Sequence, residues 1–170
     1  MATLYETKRL HVRRWQENDA TDLFELLTSD VFEFLDAYGW KPLKTKADAK
    51  SIAKYWNEDK KHPLCPSTRT QYAIALKTGK VIGTLGLSER DHDGINVGFI
   101  LNSNFKGNGY ATETLKGVIA HLEARGLKTL SYTSIGNVVA QRVMEKAGMK
   151  YQHEAKLDDL PFVTFAVYSV

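Results

Sequence analysis

The stretch Asn104-Phe105-Lys106-Gly107-Asn108-Gly109-Tyr110-Ala111-Thr112-Glu113 constrains this chain more than any other, because it reads as a strand end, a glycine turn and a helix start in direct succession. Gly107 and Gly109 lack Cβ atoms, so the backbone there can take positive φ and bring main-chain N–H groups close to a ligand. The first turn of the helix that follows adds unpaired donors and the positive end of a dipole. The pattern predicts a cradle for a phosphate group.

The elements around it follow from spacing. Leu10 to Trp15 alternates apolar and charged residues as a strand does, and Asn18 or Asp19 is placed to cap a helix with apolar positions Leu23, Phe24, Leu27 and Phe34. Ala37 to Pro42 interrupts that run. Thr45 and Asp48 make a capping-box pattern ahead of a second helix through Ile52, Tyr55 and Trp56. His62 to Ser67, with Pro63, Cys65 and Pro66, predicts a loop. Gln71 to Leu76 and Val81 to Leu87 flank a Thr78-Gly79 turn and predict a hairpin, with a third strand at Ile95 to Leu101. From Gly109 a helix carries Leu115, Val118, Ile119 and Leu122 on one face and stops at Gly126. Thr129 to Ser134 predicts a strand, Val138 to Ala147 a helix ended by Gly148, and Lys150 to Leu157 with Phe162 to Val170 a closing strand pair.

This order predicts an α/β (α+β) arrangement in which helices cover both faces of a mixed sheet. At 170 residues with 43% apolar content, one domain over 1–170 is expected. The turn does not make a dinucleotide fingerprint, since Gly-x-Gly lacks a third glycine and no acidic residue closes the strand Thr129 to Ser134. A Walker loop is excluded because no Gly-Lys-Ser/Thr stands at the required spacing. With 23 Lys+Arg against 20 Asp+Glu and no run of five like charges, nothing points to nucleic acid. No apolar run approaches the roughly 20 residues of a membrane span, and Met1 to Arg14 lacks a signal-peptide core, so a cytoplasmic location is expected. A single cysteine, Cys65, excludes an internal disulfide framework and fits a reducing compartment. The histidines at 11, 62, 92, 121 and 153 have no metal-ligand spacing on one element, so no metal is expected.

With this element order, Asn104 to Ala111 resembles the pyrophosphate-binding motif of the GNAT superfamily of acyl-CoA N-acyltransferases, with Asn104 at the position usually held by Gln or Arg. The likeness covers nearly the whole chain. Lys8-Arg9-Leu10, Val81-Ile82-Gly83, Gly107 to Glu113, and Asn137-x-x-Ala140 leading to Glu145-Lys146-Ala147-Gly148-Met149 all carry it. The Gly-Tyr-Ala-Thr-Glu string and the last helix end are most similar to the ribosomal-protein N-terminal acetyltransferase branch, the Rim type.

The resemblance implies a mostly antiparallel sheet of about seven strands, acetyl-CoA as co-substrate, a primary amine as acceptor (a protein N-terminus or a small amine), and a homodimer as an option. Main-chain groups at Phe99, Ile100 and Leu101 would pair with pantetheine. Amides of Lys106, Gly107, Asn108, Gly109, Tyr110 and Ala111 would hold the pyrophosphate, with Thr112 also at the cofactor, Asn137 would bond the pantetheine, and Arg142 and Lys146, four apart on one helical face, would meet either phosphates or solvent. Direct attack on the thioester needs positioning, an oxyanion donor and proton transfer rather than a nucleophilic cysteine.

The chain departs from the family at three positions that matter for chemistry. Where many relatives place a proton-donating Tyr and a Ser, it has Met144 and Ala140, and Asn96 replaces a common Glu. Tyr132 and Ser134 are substitute proton donors, while Glu89 and His92 are candidate bases. Tyr38 and Trp40 are candidates for the acceptor pocket, and Asp36, Asp158 and Asp159 for attracting a cationic amine. A CoA-binding sensor without catalysis, or a nucleotide binder unrelated to CoA, are the competing readings.

Overall fold

In a computed structural model the described residues are 2–28, 39–65, 69–90, 94–158 and 160–170. Eight strands form one sheet: β1 (Thr3–Glu6), β2 (Leu10–Arg14), β3 (Thr70–Leu76), β4 (Val81–Arg90), β5 (Gly94–Leu101), β6 (Thr129–Ser134), β7 (Lys150–Leu157) and β8 (Leu160–Ser169), in the order β1-β2-β3-β4-β5-β6-β8-β7. Among the described residues the helices are α1 (Ala20–Thr28), α2 (Lys46–Asn57), α3 (Tyr110–Glu123) and α4 (Val138–Lys146). All neighbouring strands are antiparallel except β5 and β6.

The expected strand count was one short, because β1 lies outside β2 as an added edge. Its register is held by a distant contact, since the Tyr5 hydroxyl donates to the Thr114 carbonyl of α3 at 2.6 Å. A second correction concerns the first helix. A 3-10 turn, Glu17–Asp19, precedes α1, so Asp19 sits inside the first turn instead of before it. There its carboxylate accepts from the Gln16 N–H (2.9 Å) and from both Arg13 Nη atoms (2.7 and 2.8 Å), a buried bidentate pair. Phe34, Asp36 and Tyr38 lie outside the described residues. The capping box at α2 forms as the sequence predicts, with Asp48 N–H donating to Thr45 Oγ1 and Thr45 N–H to Asp48 Oδ2.

The period-2 alternation of the central strands sends side chains to two separate cores. Leu10, Val12, Ile74, Leu85, Val97 and Leu101 pack with Leu115 and Val118 of α3 and Met144 of α4. Ala73, Ala75 and Val81 pack on the other face with Leu23 and Leu27 of α1 and Ile52 and Trp56 of α2. Small residues on this second face let three tryptophans, Trp15, Trp40 and Trp56, fill the layer, with ring centroids 5.6 and 5.8 Å apart. His62 ties α2 to the segment after it: its Nδ1 accepts from the Leu64 N–H (3.2 Å), which leaves Nε2–H to donate to Ser51 Oγ (3.1 Å). That arrangement occupies both ring nitrogens in structure.

Candidate functional site

The parallel β5–β6 ladder is two pairs long, Ile95↔Thr129 and Asn96↔Leu130, while β5 continues to Leu101 and β6 to Ser134. Beyond Asn96 the strands separate. Ser131 Oγ donates to the Val97 carbonyl (2.8 Å) at the vertex, and the β6-facing edge of β5 past that point has no ladder partner. An extended arm with amide groups fits such an edge as an added strand would.

At the far end of β5, Asn102 fixes the chain's exit. It is buried, its N–H donates to the Ile82 carbonyl (2.9 Å), its Oδ1 accepts from the Asn104 N–H (3.0 Å), and its Nδ2 donates to Glu25 Oε1 (2.9 Å). A 3-10 turn, Ser103–Phe105, then leads into the glycine turn. Gly107 and Gly109 have φ of 78° and 77°, the left-handed conformation the sequence predicts, and Gly109 is the N-cap of α3. Among the described residues nothing accepts from the N–H groups of Gly107 to Thr112. They form a run of open donors at a helix N-terminus.

The β1–β2 turn clamps this run from the side. Arg9 Nη1 donates to the Asn108 carbonyl (2.9 Å), Arg9 Nε and N–H donate to Glu113 at 2.6 and 3.0 Å, and the guanidinium lies 4.4 Å from the Tyr110 ring centroid. Thr7 Oγ1 donates to Glu113 as well, at 2.5 Å. Burial pushes the Glu113 carboxyl up, but the bonds from Thr7 and Arg9 outweigh it and hold the group below its ordinary value.

Around the cradle opens a cleft of about 900 Å³. Of the residues named from the sequence, it brings together Leu101, Lys106, Gly107, Gly109, Tyr110, Ala111, Thr112, Arg142 and Lys146. The others stand elsewhere. Asn108 turns its side chain back to the Phe105 and Lys106 carbonyls, Phe99 packs against the α3–α4 core, and Ile100 packs against the α1–α2 core. Asn137 caps α4, its Oδ1 accepting from the Ala140 N–H at 3.1 Å. Tyr132 and Ser134 follow Leu130 on β6, half-buried and beyond the vertex. Glu89 is exposed opposite Ile95 at the end of β4, and Asp158 is exposed beyond β7. His92 and Asp159 lie outside the described residues.

Sequence reasoning missed Lys8, Glu113, Lys116 and Val139 as lining residues. Lys116 had a legible signal, since it stands four residues after Thr112 on one helical face. Lys8 had none, because only the tertiary fold brings the β1–β2 turn to the cleft. Cys65 is buried and its thiol is pushed up to about 12, so it is no thiolate nucleophile. Among the described residues no group of three or more His, Cys, Asp or Glu is placed to hold a metal, and no helix is long and apolar enough to cross a membrane.

On the opposite face of the sheet, alternation puts Asn96, Gly98 and Tyr132 on the same side of the split. A Cβ on Gly98 would fall 1.7 Å from Arg69 Nη1, so the glycine is what admits that guanidinium across the strand. Asn96 is buried and its Oδ1 has no hydrogen-bond partner among the described residues. Glu89, in unbroken register with Leu85 and Leu87, faces the α3–α4 side instead.

Residues 9–150 match the acetyltransferase (GNAT) domain family. No curated protein matches the chain. Among solved structures, a GNAT-family acetyltransferase from Bacillus anthracis superposes with a TM-score of 0.77 at 18% identity, covering 97% of this chain and 96% of that one. A ribosomal-protein-S5-alanine acetyltransferase from Vibrio fischeri gives 0.67 at 17%, covering 100% and 96%. The microcin C7 self-immunity acetyltransferase MccE, solved with acetyl-CoA and AMP, gives 0.74 at 17%, covering 96% and 93%. The split strands, the open glycine turn and the family match over most of its length make this chain a member of the GNAT acetyltransferase family, whose co-substrate is acetyl-CoA.

Proposed function

We propose that the chain is an acetyl-CoA-dependent N-acetyltransferase that acetylates a primary amine, with protein N-termini as the acceptor class. The observation that carries this reading is the two-pair β5–β6 ladder opening beside the donor run Gly107 to Thr112. The donor set fits the cofactor: main-chain N–H groups and a helix dipole for a pyrophosphate, five cations (Lys8, Lys106, Lys116, Arg142, Lys146) for its charge, and an unpaired strand edge at Phe99 to Leu101 for the amide arm. When bound, acetyl-CoA supplies an acyl group activated as a thioester. The likeness to an alanine acetyltransferase acting on a ribosomal protein supports the N-terminal acceptor.

Because the cleft lies on the α3–α4 side, an amine approaches the split from the face of Asn96, Gly98 and Tyr132. Tyr132 is the proton donor in this reading, since Met144 is buried and cannot donate and Ala140 has no donor side chain. Glu89, on the cofactor side, is left a water-linked base at most.

Purified protein incubated with acetyl-CoA and a panel of small amines and of peptides with free and blocked N-termini, followed by thiol release, tests the reading. Turnover with a free amine and none with its blocked form is expected. Tight CoA binding without turnover on any acceptor would replace it with a binding protein, and displacement of CoA by ATP or NAD would replace it with a nucleotide site.

A further inference from the structure

A second cluster stands across the sheet from the cleft, and it starts from two glycines. Gly86 on β4 and Gly98 on β5 are directly opposite in the ladder, so on the α1–α2 face the two strands present bare backbone where side chains would stand. Arg69, half-buried just ahead of β3, fills that space. A Cβ on Gly86 would fall 3.0 Å from Arg69 Cδ, and one on Gly98 would fall 1.7 Å from its Nη1 and 3.0 Å from its Cζ. The side chain therefore crosses β4 with its stem and ends on β5 with its guanidinium, on the strand that borders the split. Register puts Gln71, Ser88, Asn96 and Tyr132 on the same face around it, and none of these adds a charge. Asn96, two residues before Gly98, brings a buried Oδ1 that has no hydrogen-bond partner among the described residues. Such an acceptor is suited to a donor that a bound molecule brings.

We infer that Arg69 and Asn96 select an acceptor that carries a carboxylate a few bonds from its reacting amine, the amine donating to Asn96 Oδ1 and the carboxylate accepting from the Arg69 guanidinium. This rests on the acetyltransferase reading above and names the acceptor it prefers. The two groups differ in what they bind. A guanidinium presents N–H donors in a planar fork that matches the two oxygens of a carboxylate. A side-chain amide oxygen only accepts, so it turns an N–H of the amine toward itself. Their spacing sets the size of the ligand. Positions 96 and 98 are about 7 Å apart along an extended strand. With a hydrogen bond of about 2.9 Å at each end, only a few bonds separate the amine from the carboxylate. Two sources share that chemistry: a free amino acid, through its α-carboxylate, and a peptide whose first residue is Asp or Glu, through its side chain.

Matched acceptors test this, with thiol release as the readout: peptides that begin with Asp or Glu against the same peptides beginning with Asn or Met, and free amino acids against their amides, on the unmodified chain and on Arg69→Gln. The unmodified chain is expected to show kcat/KM on the order of tenfold higher for the carboxylate member of the peptide pairs or of the amino-acid pairs, and Arg69→Gln to bring that ratio near one. Preference within the peptide pairs assigns the acceptor to N-termini, and preference within the amino-acid pairs assigns it to free amino acids. CoA affinity measured by calorimetry is expected to be the same in both chains, since Arg69 stands on the face opposite the cleft. Thermal midpoints measured alongside identify a misfolded variant, and Arg69→Lys, which keeps the charge but not the fork, then carries the test through a reduced ratio. Ratios near one in the unmodified chain, or a carboxylate preference that survives in Arg69→Gln, would overturn this inference and leave the acetyltransferase reading intact. No turnover with any of these acceptors or with small amines would overturn both.

Discussion

On the α3–α4 side of the β5–β6 split the glycine turn is locked from outside by the β1–β2 turn; on the α1–α2 side of the same split a buried acceptor, the Asn96 Oδ1, is left without a partner among the described residues. The cradle is pinned by Arg9 and Thr7 to Glu113 and by Arg9 to Asn108, through hydrogen bonds of 2.5–3.0 Å. Across the sheet, the Asn96 Oδ1 is buried without a partner among the described residues, while two residues on, the bare Gly98 leaves room for the Arg69 guanidinium. Recognition of a fixed cofactor can rest on main-chain donors locked in advance. Choice of an acceptor rests on side chains, and a strained or unsatisfied group there is tolerated where it serves binding. The proposed function divides the same way, with the cofactor half built and the acceptor half specified by few groups.

The largest effect is expected from Gly109→Val. At φ 77° a branched side chain is strained, while its Cβ would meet Arg9 Nη2 only at an ordinary contact distance of 3.5 Å, so the substitution acts through the turn. Loss of CoA affinity by about tenfold to a hundredfold is expected, with the thermal midpoint lowered by a few degrees through the strain; unaltered affinity would show that the turn is not the anchor. On the other side, Tyr132→Phe is expected to lower kcat about tenfold while leaving CoA binding intact. A Tyr132→Phe enzyme with full kcat would take that role from Tyr132 and leave Ser134, two residues on along β6, as the remaining donor.

Why one side was legible in the sequence follows from the range of the contacts. The glycine turn, the hairpin about Thr78-Gly79 and the helix ending at Gly126 announce themselves within a few residues. The Arg9–Glu113 pair spans 104 residues, and no period or propensity reports it. β1 was missed for the same reason: Thr3–Glu6 is four residues long and is kept in place by Tyr5 reaching Thr114, 109 residues away. Glu89 looked like a base because it ends a strand near the right point, but the face it occupies depends on the β4–β5 register. The two strings Lys8-Arg9-Leu10 and Gly-Tyr-Ala-Thr-Glu, separate in sequence, turn out to be two halves of one clamp.

Arg9→Ala sharpens that point with a smaller effect. The Arg9–Glu113 pair is partly exposed, with side-chain exposures of 42% and 19%, so a change in CoA affinity of about fivefold is expected, corresponding to roughly 1 kcal/mol. Glu113→Gln should match it, and the double variant should lose little more, because each substitution releases the same clamp. Additive losses would mean that the two residues act apart. Glu89→Gln is expected to keep kcat within about twofold, since its side faces the cofactor; a pH-dependent fall in kcat would move the base across the sheet.

The smallest effect compares the two sides through their stability toward acid. On the α1–α2 side, burial pushes the His62 imidazole below its ordinary value, with Asp48 pulling weakly the other way. Protonation would also cost the bond that its Nδ1 accepts from Leu64. The folded chain therefore binds this proton less readily than the unfolded chain, so stability is complete above the unfolded pKa of 6.5 and declines as pH falls below it toward the folded value. Glu113, on the α3–α4 side, is also lowered, but its window opens only beneath the ordinary carboxyl value of 4.5. His121 on α3 is lowered by burial and by Arg125 and titrates in the same window as His62, so the wild-type slope alone does not separate the sides. His62→Asn does, because its Oδ1 can accept from Leu64 without titrating. Between pH 7.5 and 5.5 the unmodified chain is expected to lose a few degrees of thermal midpoint and the His62→Asn chain about 2 °C less. Equal losses in both would place the acid sensitivity on the α3–α4 side, with His121.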